Sequence, residues 1–192
     1  MKRGEAQFDA LFQAYVSDIV AYCRWRAGSP SDAEEAVAEV FLTAWRRLDV
    51  VPEGDAARVW LYATARRVIA NQRRSTRRRA ALAERMALVS PVHEAPGSDE
   101  ETAVQEALRR LAPLDREVLL LSEWEGMSPA QIAGVLRCPK VTARGRLHRA
   151  RRRFRTAFEE LLAGDENERR SRAAPAAESN TRPVSHVLGG GS

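Results

Sequence analysis

The chain has 192 residues, 31 of them basic and 26 acidic, for a formal net charge of +5. Two cysteines, Cys23 and Cys138, are too few for a disulfide framework, and the histidines at 93, 148 and 186 lack metal-ligand spacing. No run of about 18 apolar residues could span a bilayer, and the start MKRGEAQFDA has no apolar signal core, so a cytoplasmic protein without cofactor, metal or membrane insertion is expected.

The charge is strongly segregated. Ala57 to Ala81 holds eight arginines and no acid, and Arg137 to Arg155 holds eight arginines, one lysine and again no acid. Those 44 residues carry +17 and the other 148 carry −12. Two separate surfaces facing polyanions are implied, since solubility alone would be served by mixed charge.

In chain order the pattern is helical throughout, with no alternating strand. Phe8, Leu11, Phe12, Tyr15, Ile19 and Tyr22 form the apolar stripe of a first helix, which stops at Ala27-Gly28-Ser29-Pro30. Ser31 and Glu34 read as a capping box for a second helix carrying Ala33, Val37, Val40, Phe41, Ala44, Trp45 and Leu48. After a loop at Asp49–Asp55, a long helix from about Ala57 turns Trp60, Leu61, Thr64, Ala65 and Val68 inward and its arginines outward. Its end, Arg73–Arg79, is cationic enough to fray without a polyanion. Two prolines, a glycine and a run of acids then mark a linker.

Beyond the linker, a helix near Glu101–Leu111, a break at Pro113 and a helix from Leu114 to about Trp124 lead to Gly126. Ser128, Pro129 and Gln131 supply an N-cap, a first-turn proline and a capping-box partner. Pro139 ends that short helix. The next one places Ala143, Leu147, Ala150 and Phe154 on one face and Arg144, Gly145, His148, Arg149 and Arg152 on the other. A helix with one apolar and one cationic face, braced by a shorter helix, is the architecture that enters a major groove.

These segments resemble the extracytoplasmic-function (ECF) sigma factors of bacterial RNA polymerase. SDAEEAVAEVFLTAWRRL at 31–48 is similar to the family's core-polymerase-binding segment. VWLYATARRVIANQRRSTRRR at 59–79 is similar to its promoter-melting and minus-ten segment. LAPLDREVLLLSEWEGMSPAQIAGVL at 111–136, with the arginine helix after it, is similar to the minus-thirty-five-reading domain. The resemblance spans Phe8 to Leu162 and implies an all-α protein of two small helical domains. A sigma-2-like domain at 1–87 and a sigma-4-like helix-turn-helix domain at 101–162 would flank a flexible linker at 88–100, with a disordered tail at 163–192.

The same resemblance assigns roles. Asp32, Glu34, Glu35 and Glu39 would dock on core polymerase, with Arg46 and Arg47 contributing at the far end. Arg58, Arg66, Arg67, Asn71, Arg73, Arg74 and Arg77 would line the melted non-template strand beside the Asp49–Ala56 loop. Trp60 and Tyr62 are candidates for stacking on bases, although Trp60 fits the hydrophobic core better. On promoter duplex, Arg144, His148 and Arg149 would reach base edges near Gly145, and Lys140 and Arg152 would hold phosphates. An anti-sigma factor is a further implied partner.

The chain also departs from the family pattern. Arg67 and Asn71 stand where the family usually has Asn and Asp, Arg137 and Val141 where it commonly has glycine, and Gly145 where serine is usual. A glycine in the turn implies positive φ, which would strain Arg137. Cys138, in that turn among arginines, reads either as turn filler or as an activated thiol. Two rival functions fit the same residues less well. A stand-alone helix-turn-helix regulator would leave the first arginine run unexplained, and a nuclease would need carboxylates that neither run contains.

Overall fold

A computed structural model describes residues 2–86 and 103–173. The predicted linker at 88–100 lies outside the described residues. Seven α-helices and no strand occur among them: α1 Lys2–Arg24, α2 Pro30–Arg46, α3 Asp55–Met86, α4 Ala103–Arg110, α5 Pro113–Glu123, α6 Pro129–Leu136 and α7 Lys140–Ala173.

Helices α1 to α3 pack around Ile19, Tyr22, Cys23, Ala36, Val40, Ala44, Leu61 and Ala65, all fully buried. The rings of Tyr22 and Tyr62 meet edge to face at 5.0 Å in this core. Burial pushes the Cys23 thiol up to about 11. The cap of α2 differs from the sequence expectation. Ser29, not Ser31, is the N-cap, and its Oγ accepts from the Asp32 backbone N–H at 3.1 Å. The reason is Pro30, which forces the residue before it into extended geometry and itself fits the first helical position.

The second unit buries Leu108, Val118, Leu121, Ile132, Val135, Ala143, Leu147 and Ala150. Pro113 opens α5 and does not merely interrupt a helix. Arg116 closes the end of α4 by donating to the carbonyls of Leu108 and Arg109, each at 2.6 Å. The capping box predicted for α6 is present: the Gln131 N–H donates to Ser128 Oγ at 3.3 Å, and the Ser128 N–H donates to Gln131 Oε1 at 2.9 Å.

Two helix ends run past their expected limits. α3 is helical through Arg73–Arg79 to Met86, and α7 continues beyond Leu162 to Ala173, into the segment expected to be a disordered tail. The sequence after Leu162 supports this, because Asp165, Glu166 and Glu168 each precede an arginine by four residues. Residues 174–192 lie outside the described ones.

Candidate nucleic-acid and polymerase interfaces

The arginines of α7 divide by direction. Lys140, Arg144, His148, Arg149 and Arg152 are exposed, with Gly145 half-buried among them. Arg151 and Arg153 turn the other way and brace the helix. Arg151 pairs with Glu123 at 2.7 Å and donates to Ser122 Oγ at 3.2 Å; Arg153 pairs with the buried carboxylate of Asp115. This leaves five exposed cationic or ionisable side chains on the outer face of a helix whose inner face is anchored to α5. Ser128–Leu136 braces it as the first helix of a helix-turn-helix, and the turn passes through Arg137 at φ 53°, ψ 50°. The predicted strain is therefore present. Arg137 is the only non-glycine residue with positive φ among the described residues.

On the first unit, Arg67, Asn71, Arg73, Arg74 and Arg77 are exposed and Arg66 is half-buried. Asn71 accepts from Arg74, and Arg73 donates to the Arg26 carbonyl. Along α2, Glu34, Glu35 and Glu39 are exposed and Asp32 is half-buried. A cleft of about 310 Å³ joins Glu39, Arg46 and Arg47 to Trp60, Arg67, Asn71 and Arg137. Candidate polymerase-facing and strand-facing residues thus share one border. Beside Glu35 and Glu39, α2 exposes Leu42 and Trp45, the latter edge-on to Phe8 at 5.1 Å. Trp45, expected inward from its period, is 47% exposed.

Comparison with known proteins places this geometry. The description "Sigma-70 region 2" matches residues 11–79 and "Sigma-70, region 4" matches 101–154. The ECF RNA polymerase sigma factor SigL of Mycobacterium tuberculosis is 33% identical over 161 residues, covering 79% of this chain and 89% of SigL. The chain belongs to the ECF RNA polymerase sigma factors. It is similar also to SigC of M. tuberculosis, at 32% identity over 143 residues, 73% of this chain and 71% of SigC. In fold it is similar to the sigma factor RpoE in complex with the anti-sigma factor NepR from Bartonella quintana. That match has a TM-score of 0.64 at 22% identity over 79% of this chain and 96% of RpoE.

The sigma factor's structure corrects one stacking candidate. Tyr62 is fully buried and donates its hydroxyl to Glu125, so it presents no ring face. Trp60 is half-buried and packs against the hydrophobic core while bordering the cleft. Arg58 is also engaged: its Nη2 donates to the Glu125 carbonyl at 2.7 Å, and its guanidinium lies 3.6 Å from Asp18. Cys138 is half-buried against the core, consistent with turn filler.

Three residues of consequence escaped the sequence reading, Arg26, Glu117 and Glu125, and with them the polar partner of Tyr22. Tyr22 donates to Glu117 Oε1 at 2.6 Å and Arg26 Nε to Glu117 Oε2 at 2.7 Å. The Arg26 guanidinium lies 3.8 Å from the Tyr22 ring centre. Burial, and then the neighbouring Glu117 charge, raise the Tyr22 hydroxyl well above its ordinary range, so it stays a donor. No sequence signal pointed to these pairs, which join positions 91 to 95 residues apart.

Proposed function

We propose that this sigma factor acts as the dissociable specificity subunit of core RNA polymerase, with a division of labour between its two cationic surfaces. Residues 101–162 place the polymerase at a minus-thirty-five element and residues 1–87 hold the opened minus-ten strand. The observation that carries this reading is the pair of arginine faces on separate helical units, neither interrupted by an acid in sequence. Opening a promoter needs a basic groove for unpaired strand, while choosing one needs donors aimed at base edges in duplex.

At residue level, Arg58, Arg66, Arg67, Asn71, Arg73, Arg74 and Arg77 serve the strand. Arg144, His148 and Arg149 serve bases, and Lys140 and Arg152 serve phosphates. Asp32, Glu34, Glu35 and Glu39, with Arg46 and Arg47, bind core polymerase; the exposed Leu42 and Trp45 beside them supply apolar area that acids alone lack. The protein has no active site of its own, works in the cytoplasm, and is held in check by an anti-sigma factor, as the NepR complex of RpoE suggests.

Run-off transcription with purified core polymerase on a pool of genomic promoters tests the function. Promoter-specific transcripts are expected, along with competition against the housekeeping sigma factor for core; absence of both would sink the reading. Arg149→Ala should cost about 1–3 kcal/mol of promoter discrimination and leave core affinity unchanged. Equal loss of both would refute the division of labour.

A further inference from the structure

Val141, in the first turn of α7, is 77% exposed, more than any other large hydrophobic residue among the described ones. Helical period sets its direction. Ala143, Leu147 and Ala150 are buried, and Val141 lies on the side of the helix away from them. His148 and Arg152 follow Val141 at seven and eleven residues, close to whole turns of a helix with 3.6 residues per turn. The valine therefore sits on the centre line of the cationic face and not at its edge. Lys140, Arg144 and Arg149, all exposed, surround that line.

Gly145 lies on the same line, one turn further on. Without a side chain it leaves the flank of Val141 uncovered. The side chain that a Cβ on Gly145 would meet is that of Arg149, at 3.5 Å from Nη1. The departures from the family pattern at 141 and 145 thus form one feature: an apolar group at the middle of a basic surface, with room beside it.

The fold has no use for that valine. It buries little surface, and its β-branch makes it a poorer helix former than alanine. Single exposed apolar residues are common on proteins, but this one is ringed by cations on a surface that faces a polyanion. A matching ligand must be anionic and carry a small apolar group on the edge it presents. In the major groove of DNA that group is the C5-methyl of thymine, whereas cytosine presents an amino donor.

We propose that Val141 is a specificity-determining residue that selects thymine in the minus-thirty-five element by packing its side chain against the C5-methyl group. This step rests on the proposed assignment of the outer face of α7 to promoter duplex. The first turn of the second helix is the part of a helix-turn-helix that reaches base edges, so Val141 is placed to touch one. Along the axis, Val141 and His148 are about 10 Å apart at about 1.5 Å per residue. The thymine should therefore lie within about three base pairs of the pair facing His148, at about 3.4 Å per pair.

Deoxyuridine substitution tests the contact, because it deletes the C5-methyl and leaves every hydrogen-bonding group in place. Duplexes are selected from a randomised minus-thirty-five pool by core polymerase carrying the wild-type chain, and each thymine of the preferred sequence is then replaced singly. One replacement should weaken binding about fourfold, the effect of withdrawing one methyl-sized group from burial. With Val141→Gly, the residue common in the family, the same replacement should have no effect, and a pool selected by that variant should lose its thymine preference there. Val141→Ile should keep the effect and Val141→Ser abolish it, so a folding defect in one variant leaves the others to decide. Indifference of the wild type to every replacement, or a Val141→Gly protein as sensitive as the wild type, would overturn the thymine contact and leave the proposed function standing. A pool in which no sequence is enriched would overturn the proposed function, and the contact with it.

Discussion

Arg137 ends α6 with a left-handed backbone, a conformation that costs an L-residue about 1–2 kcal/mol and glycine almost nothing. Its backbone N–H still reaches the Gly134 carbonyl at 3.3 Å, and Cys138 N–H reaches Ala133 O at 3.0 Å, so the turn is held by hydrogen bonds despite the strain. Arg137→Gly should therefore stabilise the chain by about 1 kcal/mol, read as a higher urea midpoint at unchanged slope. The two thiols should separate cleanly as well. Cys23 is fully buried and its thiol is pushed up to about 11, which disfavours the reactive thiolate below that pH. A thiol reagent at pH 8 should label native Cys138 well before Cys23; equal rates would contradict the buried placement.

At the scale of elements, α7 shows why one arginine run does two jobs. Arg151 and Arg153 flank its buried stripe on opposite edges and reach the two ends of α5, at Glu123 and Asp115, while Arg149 and Arg152 face out. Arg153 is 54% exposed and Asp115 is 7% exposed at the side chain, so losing one partner is not equivalent to losing the other. Arg153→Ala strands a buried carboxylate and should cost about 1–3 kcal/mol. Asp115→Asn returns a half-exposed guanidinium to water and should cost under about 1 kcal/mol. Thermal unfolding of the two variants checks the asymmetry.

Periodicity and capping carried the elements into view: the α6 capping box and the inner stripe Ala143, Leu147, Ala150 were legible residue by residue. The α2 cap was legible only once Pro30 was given priority over the Ser31–Glu34 pattern. Tyr62 defeated the reading because its neighbours made it look like part of a strand-binding surface. Its burial comes from packing on Tyr22, 40 positions away, and a hydroxyl bond to Glu125, 63 positions away. Long-range pairing leaves no local trace in sequence.

For the whole molecule, the charge of +5 is a small remainder of two large opposing terms, +17 on two short segments and −12 on the rest. Promoter affinity of the polymerase-bound protein should fall steeply with salt, by about 0.9 in log affinity per log salt for each phosphate neutralised on duplex DNA. Replacing Arg152, proposed to hold a phosphate, should lower that slope by about one and weaken all sequences alike. The brace formed by Arg151 and Arg153 has a further result at this scale. Because the hydrophobic stripe and these two arginines fix α7, positions 144, 148, 149 and 152 are released from any duty to the fold. Address and scaffold are then written in separate letters of the same helix: if the outer positions read the promoter as proposed, rewriting those four should redirect the protein to new promoters while the rest is inherited unchanged.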